Sequence, residues 1–215
     1  MTRSRIATII ACVTALLGIA RFLVVRSTAL AAQDDPTALK PVSAFARISD
    51  RHARSAALFV EAGKVIQSPR CLNCHPPDRR PTQGDDLHPH VPPMIAGESG
   101  SGLDGYPCQT CHGPSTVRTL GQELKSIPGD PRWSLAPLEM AWQGKSLRQI
   151  CEQIKDLRRN GGKTLPELHE HMARDHLVGS AWRLGEGRRP APGTQEQFGE
   201  LIQAWIESGA ACPPS

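Results

Sequence analysis

Two short runs constrain this chain more than anything else in it: Cys71, Leu72, Asn73, Cys74, His75 and then Cys108, Gln109, Thr110, Cys111, His112. Each reads C-x-x-C-H. In that order, two thiols three positions apart reach the two vinyl groups of one haem as thioethers, and the adjacent histidine ligates its iron. The pattern predicts two covalently bound haem c groups, attached at Cys71, Cys74, Cys108 and Cys111, with His75 and His112 as proximal iron ligands. Such groups would also supply apolar interior, which a chain with 4% aromatic residues and 19 each of Gly and Pro has little means to build.

Two other uses of paired cysteines fit less well. A four-cysteine zinc site usually spaces its C-x-x-C pairs by about 15 to 20 residues, whereas 33 residues separate Cys74 from Cys108. Four thiolates would also complete a tetrahedron and leave the two adjoining histidines without a purpose. A thioredoxin-like dithiol expects one such pair between a strand and a helix, and no strand pattern precedes either run.

The amino terminus reads as a secretory leader. Arg3 and Arg5 precede an uncharged apolar stretch over 6–20, and Ala29, Leu30 and Ala31 form a small-residue cleavage site. Residues 1–31 are expected to be the signal peptide, which puts the remainder in the periplasm, an oxidising compartment. The alternative is an uncleaved anchor extended by residues 22–25, with Arg21 interrupting it at a cost of up to about 3 kcal/mol. Membrane association is expected only in that case. The net charge of +4 comes wholly from the four leader arginines, so the mature chain is formally neutral, and nucleic acid is not an expected partner.

The sixth ligand of each iron is open. For the first haem His90 leads, with His52, His88 and Met94 behind it. For the second, Met140 leads, followed by His171 and Met172 in a cluster that includes His169 and His176. Helical spacing accounts for part of that cluster without any metal.

The expected fold class is mainly α, with a loop-rich amino-terminal half and a helical carboxyl-terminal half. Residues 32–42 read as a flexible tether and 43–215 as one di-haem domain. Helix is expected within 43–66, where Leu58, Phe59, Val65 and Ile66 would face the first haem, whereas 76–106 is too rich in Pro, Gly and His for regular structure. Three capping boxes open helices at Ser146 with Gln149, Thr164 with Glu167 and Thr194 with Gln197. The first of these would run to about Arg159. The last helix carries an apolar stripe of Phe198, Leu201, Ile202, Trp205 and Ile206. Cys151 and Cys212 are left over as a pair and are expected to form a disulfide worth about 4 kcal/mol, with two free thiols as the alternative.

The runs R-C-L-N-C-H-P, P-R-W-S-L-A-P-L-E-M-A-W-Q-G-K-S, N-G-G-K-T-L and A-P-G-T-Q-E-Q-F-G resemble a family of small bacterial di-haem cytochromes that often carry the label isoquinoline 1-oxidoreductase subunit. The resemblance implies an electron-transfer protein that accepts electrons from a periplasmic molybdenum hydroxylase. This chain has no flavin fingerprint or iron–sulfur cysteine set of its own. A small di-haem enzyme, such as a peroxidase with an open iron position, is the competing expectation. A redox sensor would call for an attached signalling domain, and none is visible.

Overall fold

The computed structural model describes residues 37–121 and 124–214. The expected leader and the first residues of the expected tether lie outside the described residues. Among those described, no helix is long and apolar enough to cross a membrane.

Helix α1 (Arg51–Ile66) starts where the Asp50 carboxylate accepts the Ala53 amide at 2.6 Å, which satisfies one of the free donors of the first turn. Its buried face, Leu58, Phe59, Ala62, Val65 and Ile66, is the apolar stripe that needs a partner. A short α2 (Pro69–Leu72) follows. The carboxyl-terminal half supplies α3 (Leu147–Lys155), α4 (Leu165–Arg174), α5 (His176–Gly179) and α6 (Gln195–Glu207). All three expected capping boxes are present, at Ser146, Thr164 and Thr194. The α3 helix stops at Lys155, short of the expected Arg159. Asp156 turns to an extended backbone, and the Asn160 amide donates to the freed carbonyls of Ile154 and Lys163 at 2.7 and 2.8 Å.

Helix α6 is the hub, packing against both α1 and α4. Its stripe buries Phe198, Leu201, Ile202 and Trp205, with Ile206 half-buried. Gly199 permits the close approach to α4, because a Cβ there would lie 2.5 Å from that of Ala173. Of the four α1 residues expected to face the first haem, Ile66 lines a cavity beside the first motif. Leu58, Phe59 and Val65 belong to the helical core, with the Phe59 ring centroid 4.8 Å from that of Trp205. Physically, a helix partner covers that face before any cofactor does.

The expected tether needs correction from residue 37 onward. Leu39 is buried in the core, the Gly193 amide donates to the Thr37 carbonyl at 2.8 Å, and the Lys40 amide donates to Glu61 Oε1 at 2.8 Å. An apolar side chain and long-range hydrogen bonds hold a segment whose composition alone looked loose.

From 73 to 137, the regular structure among the described residues is three antiparallel two-residue hairpins and one 3-10 turn. The hairpins are β1 (Thr82–Gln83) with β2 (His88–Pro89), β3 (Gly102–Leu103) with β4 (Tyr106–Pro107), and β5 (Val117–Arg118) with β6 (Ser126–Ile127). The turn covers Cys108–Thr110. Long-range backbone bonds stitch this wrap together, among them Ala96 N–H to Arg79 O at 2.8 Å and Leu135 N–H to Gly100 O at 2.9 Å.

Cys151 and Cys212 form a disulfide across a sequence separation of 61, tying α3 to the end of the chain. Lys155 Nζ also donates to the Ala210 carbonyl at 2.7 Å. Replacing both cysteines by serine is expected to cost about 4 kcal/mol, read as a lower urea midpoint. An unchanged midpoint would mean that contacts such as that of Lys155 already order the tail.

Candidate functional site

Each C-x-x-C-H run is set by a single turn of backbone. After α2, Cys74 N–H donates to Cys71 O at 3.1 Å and His75 N–H to Leu72 O at 3.1 Å. In the second run, Cys111 and His112 both donate to Cys108 O, at 3.2 and 2.9 Å. The turn gathers two thiols and an imidazole at one place, and each group opens onto its own cavity. The first cavity is about 250 Å³ and is lined by Cys71, Cys74 and His75 with Ile66, Leu168 and Phe198. The second is about 140 Å³ and is lined by Cys108, Cys111 and His112 with Val91, Ile95 and Leu124.

The two histidines are held alike. His75 donates from Nδ1 to the Met140 carbonyl at 2.6 Å and stacks on Trp142, with centroids 3.5 Å apart and planes at 4°. His112 donates from Nδ1 to the Pro128 carbonyl at 2.7 Å and stacks on Trp133, at 4.2 Å and 3°. A carbonyl on Nδ1 fixes the tautomer and leaves Nε2 as a free donor atom, the usual outer-shell device behind a metal-binding histidine. Burial pushes the His75 pKa down to about 4, against the pull of the Met140 carbonyl, and nearby His171 lowers it further. Burial likewise lowers His112, opposed by the Pro128 carbonyl and reinforced by His90. Both rings are therefore neutral near pH 7.

Three of the thiols, Cys71, Cys74 and Cys108, are not activated. Burial pushes Cys71 up to about 12 and Cys74 up to about 11, and it raises Cys108 as well. A dithiol built for exchange chemistry shows the opposite shift. Among the described residues, no three His, Cys, Asp or Glu side chains converge as they would around a metal ion.

A second histidine completes each cavity. His90 lines the second one, its ring centroid 5.9 Å from that of His112, and its Nδ1 donates to the Pro92 carbonyl at 2.8 Å. His171 lines the first, with Met172 and Met140. Two sequence expectations are corrected here. His90 belongs with the second motif, not the first. Met140, His171 and Met172 belong with the first, not the second, and the Met140 carbonyl sits behind His75 as its hydrogen-bond acceptor.

Of the remaining candidates, Met94, expected with the first haem, lines the second cavity instead. His88 is exposed on β2 beside Asp86, at 2.6 Å. His52 lies in a surface hollow with Arg148 and Cys212, and His169 in another with Gln203 and Ile206. His176 pairs with the buried Asp130.

One segment, 133–142, serves both cavities. Trp133 backs His112 at one end, Ser134 and Leu135 form a wall common to both cavities, and Met140 and Trp142 hold His75 at the other end. Ala136 N–H donates to Cys74 O at 3.1 Å and Trp142 N–H to His75 O at 2.9 Å, fastening the segment to the first motif. The sequence reading did not assign Trp133 and Trp142 a role. The available signal was that two of the four tryptophans lie nine residues apart in this one segment.

Cations line both cavities: Arg70 and Lys163 the first, Arg188 the second. Arg70 is almost fully buried and shares Asp85 with Arg189, while Arg188 donates to the hydroxyl of Ser126 at 2.7 Å. The indole N–H of Trp142 is buried and finds no acceptor among the described residues, an arrangement that natural interiors seldom leave open. No protein-family model, curated protein or solved structure matches the chain.

Proposed function

We propose that this protein is an exported di-haem c-type cytochrome that passes electrons between redox partners in the periplasm. The observation that carries the reading is the pairing at each cavity: two thiols and a carbonyl-held histidine on one side, and a second histidine lining the same apolar space. Haem c, when bound, supplies a one-electron ferric/ferrous couple.

The residues present fit such a group. Cys71 and Cys74 would hold one haem and Cys108 and Cys111 the other, with His75 and His112 as proximal ligands. His171 and His90 would be the further ligands, with Met172 and Met140 as other donors lining the first cavity and Met94 lining the second. Haem propionates are carboxylates, and Arg70, Lys163, Arg188 and the unpartnered indole N–H of Trp142 are donors suited to them. Both cavities sharing the wall of Ser134 and Leu135 favours transfer from one group to the other within the chain. Facing histidines at both cavities favour a carrier over a peroxidase, which needs an open iron position. The proposed donor is a periplasmic molybdenum hydroxylase, as the family resemblance implies.

The test is to express the whole chain in a host with c-type haem maturation and export, then take its intact mass and pyridine haemochrome spectrum. The expected result is a cleaved chain heavier by two haems, low-spin and unreactive to cyanide. A high-spin component that binds cyanide would favour the enzyme. An unmodified mass with bound zinc would overturn the reading.

A further inference from the structure

The two facing histidines are held by different chemistry. His90 donates to a neutral peptide carbonyl, that of Pro92. His171 faces a carboxylate, its Nδ1 lying 3.3 Å from Asp175 Oδ2. Asp175 is itself fixed in place. Its Oδ1 accepts the Leu177 amide at 2.8 Å, capping α5, and takes Arg132 Nη2 at 2.8 Å, while its backbone carbonyl accepts Gln195 Nε2 at 2.9 Å. One oxygen serves the cap and the arginine, which leaves the other for His171.

We infer that Asp175 is a positioning residue that tunes the first haem site alone: by holding the proton on His171 Nδ1 it strengthens Nε2 as a donor and lowers that site's reduction potential. The inference rests on the two-haem reading. A carboxylate partner raises the basicity of a ligating imidazole more than a carbonyl does, and a stronger donor favours the oxidised iron. Arg132 moderates the effect by drawing on the same carboxylate. Burial of the first cavity acts the other way on absolute potential, so Asp175 determines a shift at this site and not the rank order of the two.

Asp175→Asn keeps the size and capping ability of the residue and removes its charge. In full-length protein with both haems confirmed by mass, spectroelectrochemical titration of D175N should show one of two transitions moving up. A tenfold rise in the reduced-to-oxidised ratio at fixed ambient potential, about 59 mV for one electron, is expected, with the other transition unmoved and both haems low-spin. D175E should restore part of the shift, and R132Q should move the same transition down. If D175N fails to fold, the R132Q shift alone decides. Unmoved transitions, equal movement of both, or a far-red thioether-to-iron band assigning Met172 as the ligand would overturn the role of Asp175 while leaving the two-haem reading intact. A wild-type chain lacking two attached haems would overturn that reading itself.

Discussion

On the two-haem proposal, replacing Cys71 and Cys74 together by alanine is expected to remove one haem and a large share of the folding stability, whereas replacing Cys108 and Cys111 is expected to remove the other haem and leave a folded helical body. The difference lies in what walls each cavity. Ile66, Leu168, Met172 and Phe198 line the first and are members of the main apolar core, so an empty first cavity is a hole in that core. The second is walled by the loop residues Val91, Ile95 and Leu124, which are exposed apolar side chains outside the core. At about 24 cal/mol per Å³, the volumes of about 250 and 140 Å³ correspond to about 6 and about 3 kcal/mol. Both are upper bounds, because each cavity opens to solvent. A loss approaching about 6 kcal/mol is a large share of the roughly 5 to 15 kcal/mol of an ordinary domain. Intact mass and urea melts of the two double variants check this. Equal destabilisation would show that the loop-rich half depends on its haem as much as the helical core does.

The elements legible in the sequence were those fixed by local chemistry. A capping box is satisfied within four residues, so Ser146, Thr164 and Thr194 announced their helices without help from the rest of the chain. The α6 stripe was legible for the same reason. The two C-x-x-C-H runs were legible as groups, since one turn assembles each.

What could not be read was which facing ligand belongs to which motif, because chain proximity was the only guide and the fold overrides it. His90 lies nearer in sequence to His75 than to His112, yet the wrap from Arg79 to Ala96 and from Gly100 to Leu135 carries it to the second cavity. Met140 follows the second motif, yet segment 133–142 crosses back to His75. The expected tether over 32–42 differs from residue 37 onward for the same reason: its composition conceals one apolar anchor, Leu39, whose partners lie far along the chain. Long-range backbone bonds in a segment without periodicity leave no local trace.

That crossing makes the helical core and the first cavity one packing unit, which is why Trp205→Ala carries the second large effect. Trp205 is fully buried against Phe59, and its indole N–H donates to the Ala211 carbonyl at 2.9 Å. Ser55 ties the same corner, donating to the Trp205 carbonyl at 3.0 Å and accepting the Ala211 amide at 2.9 Å. Truncation is expected to cost about 3 to 5 kcal/mol for the lost side chain and the cavity it leaves, measured by urea denaturation. Trp205→Phe, which keeps most of the volume and loses the donor, should cost about 1 to 3 kcal/mol, the price of leaving a buried carbonyl unpaired. Because Phe198 lies on the same helix and lines the first cavity, the alanine variant should also disturb the spectrum of the first haem before that of the second. A loss below about 1 kcal/mol, or equal disturbance of both haems, would mean that α6 does not carry the first site.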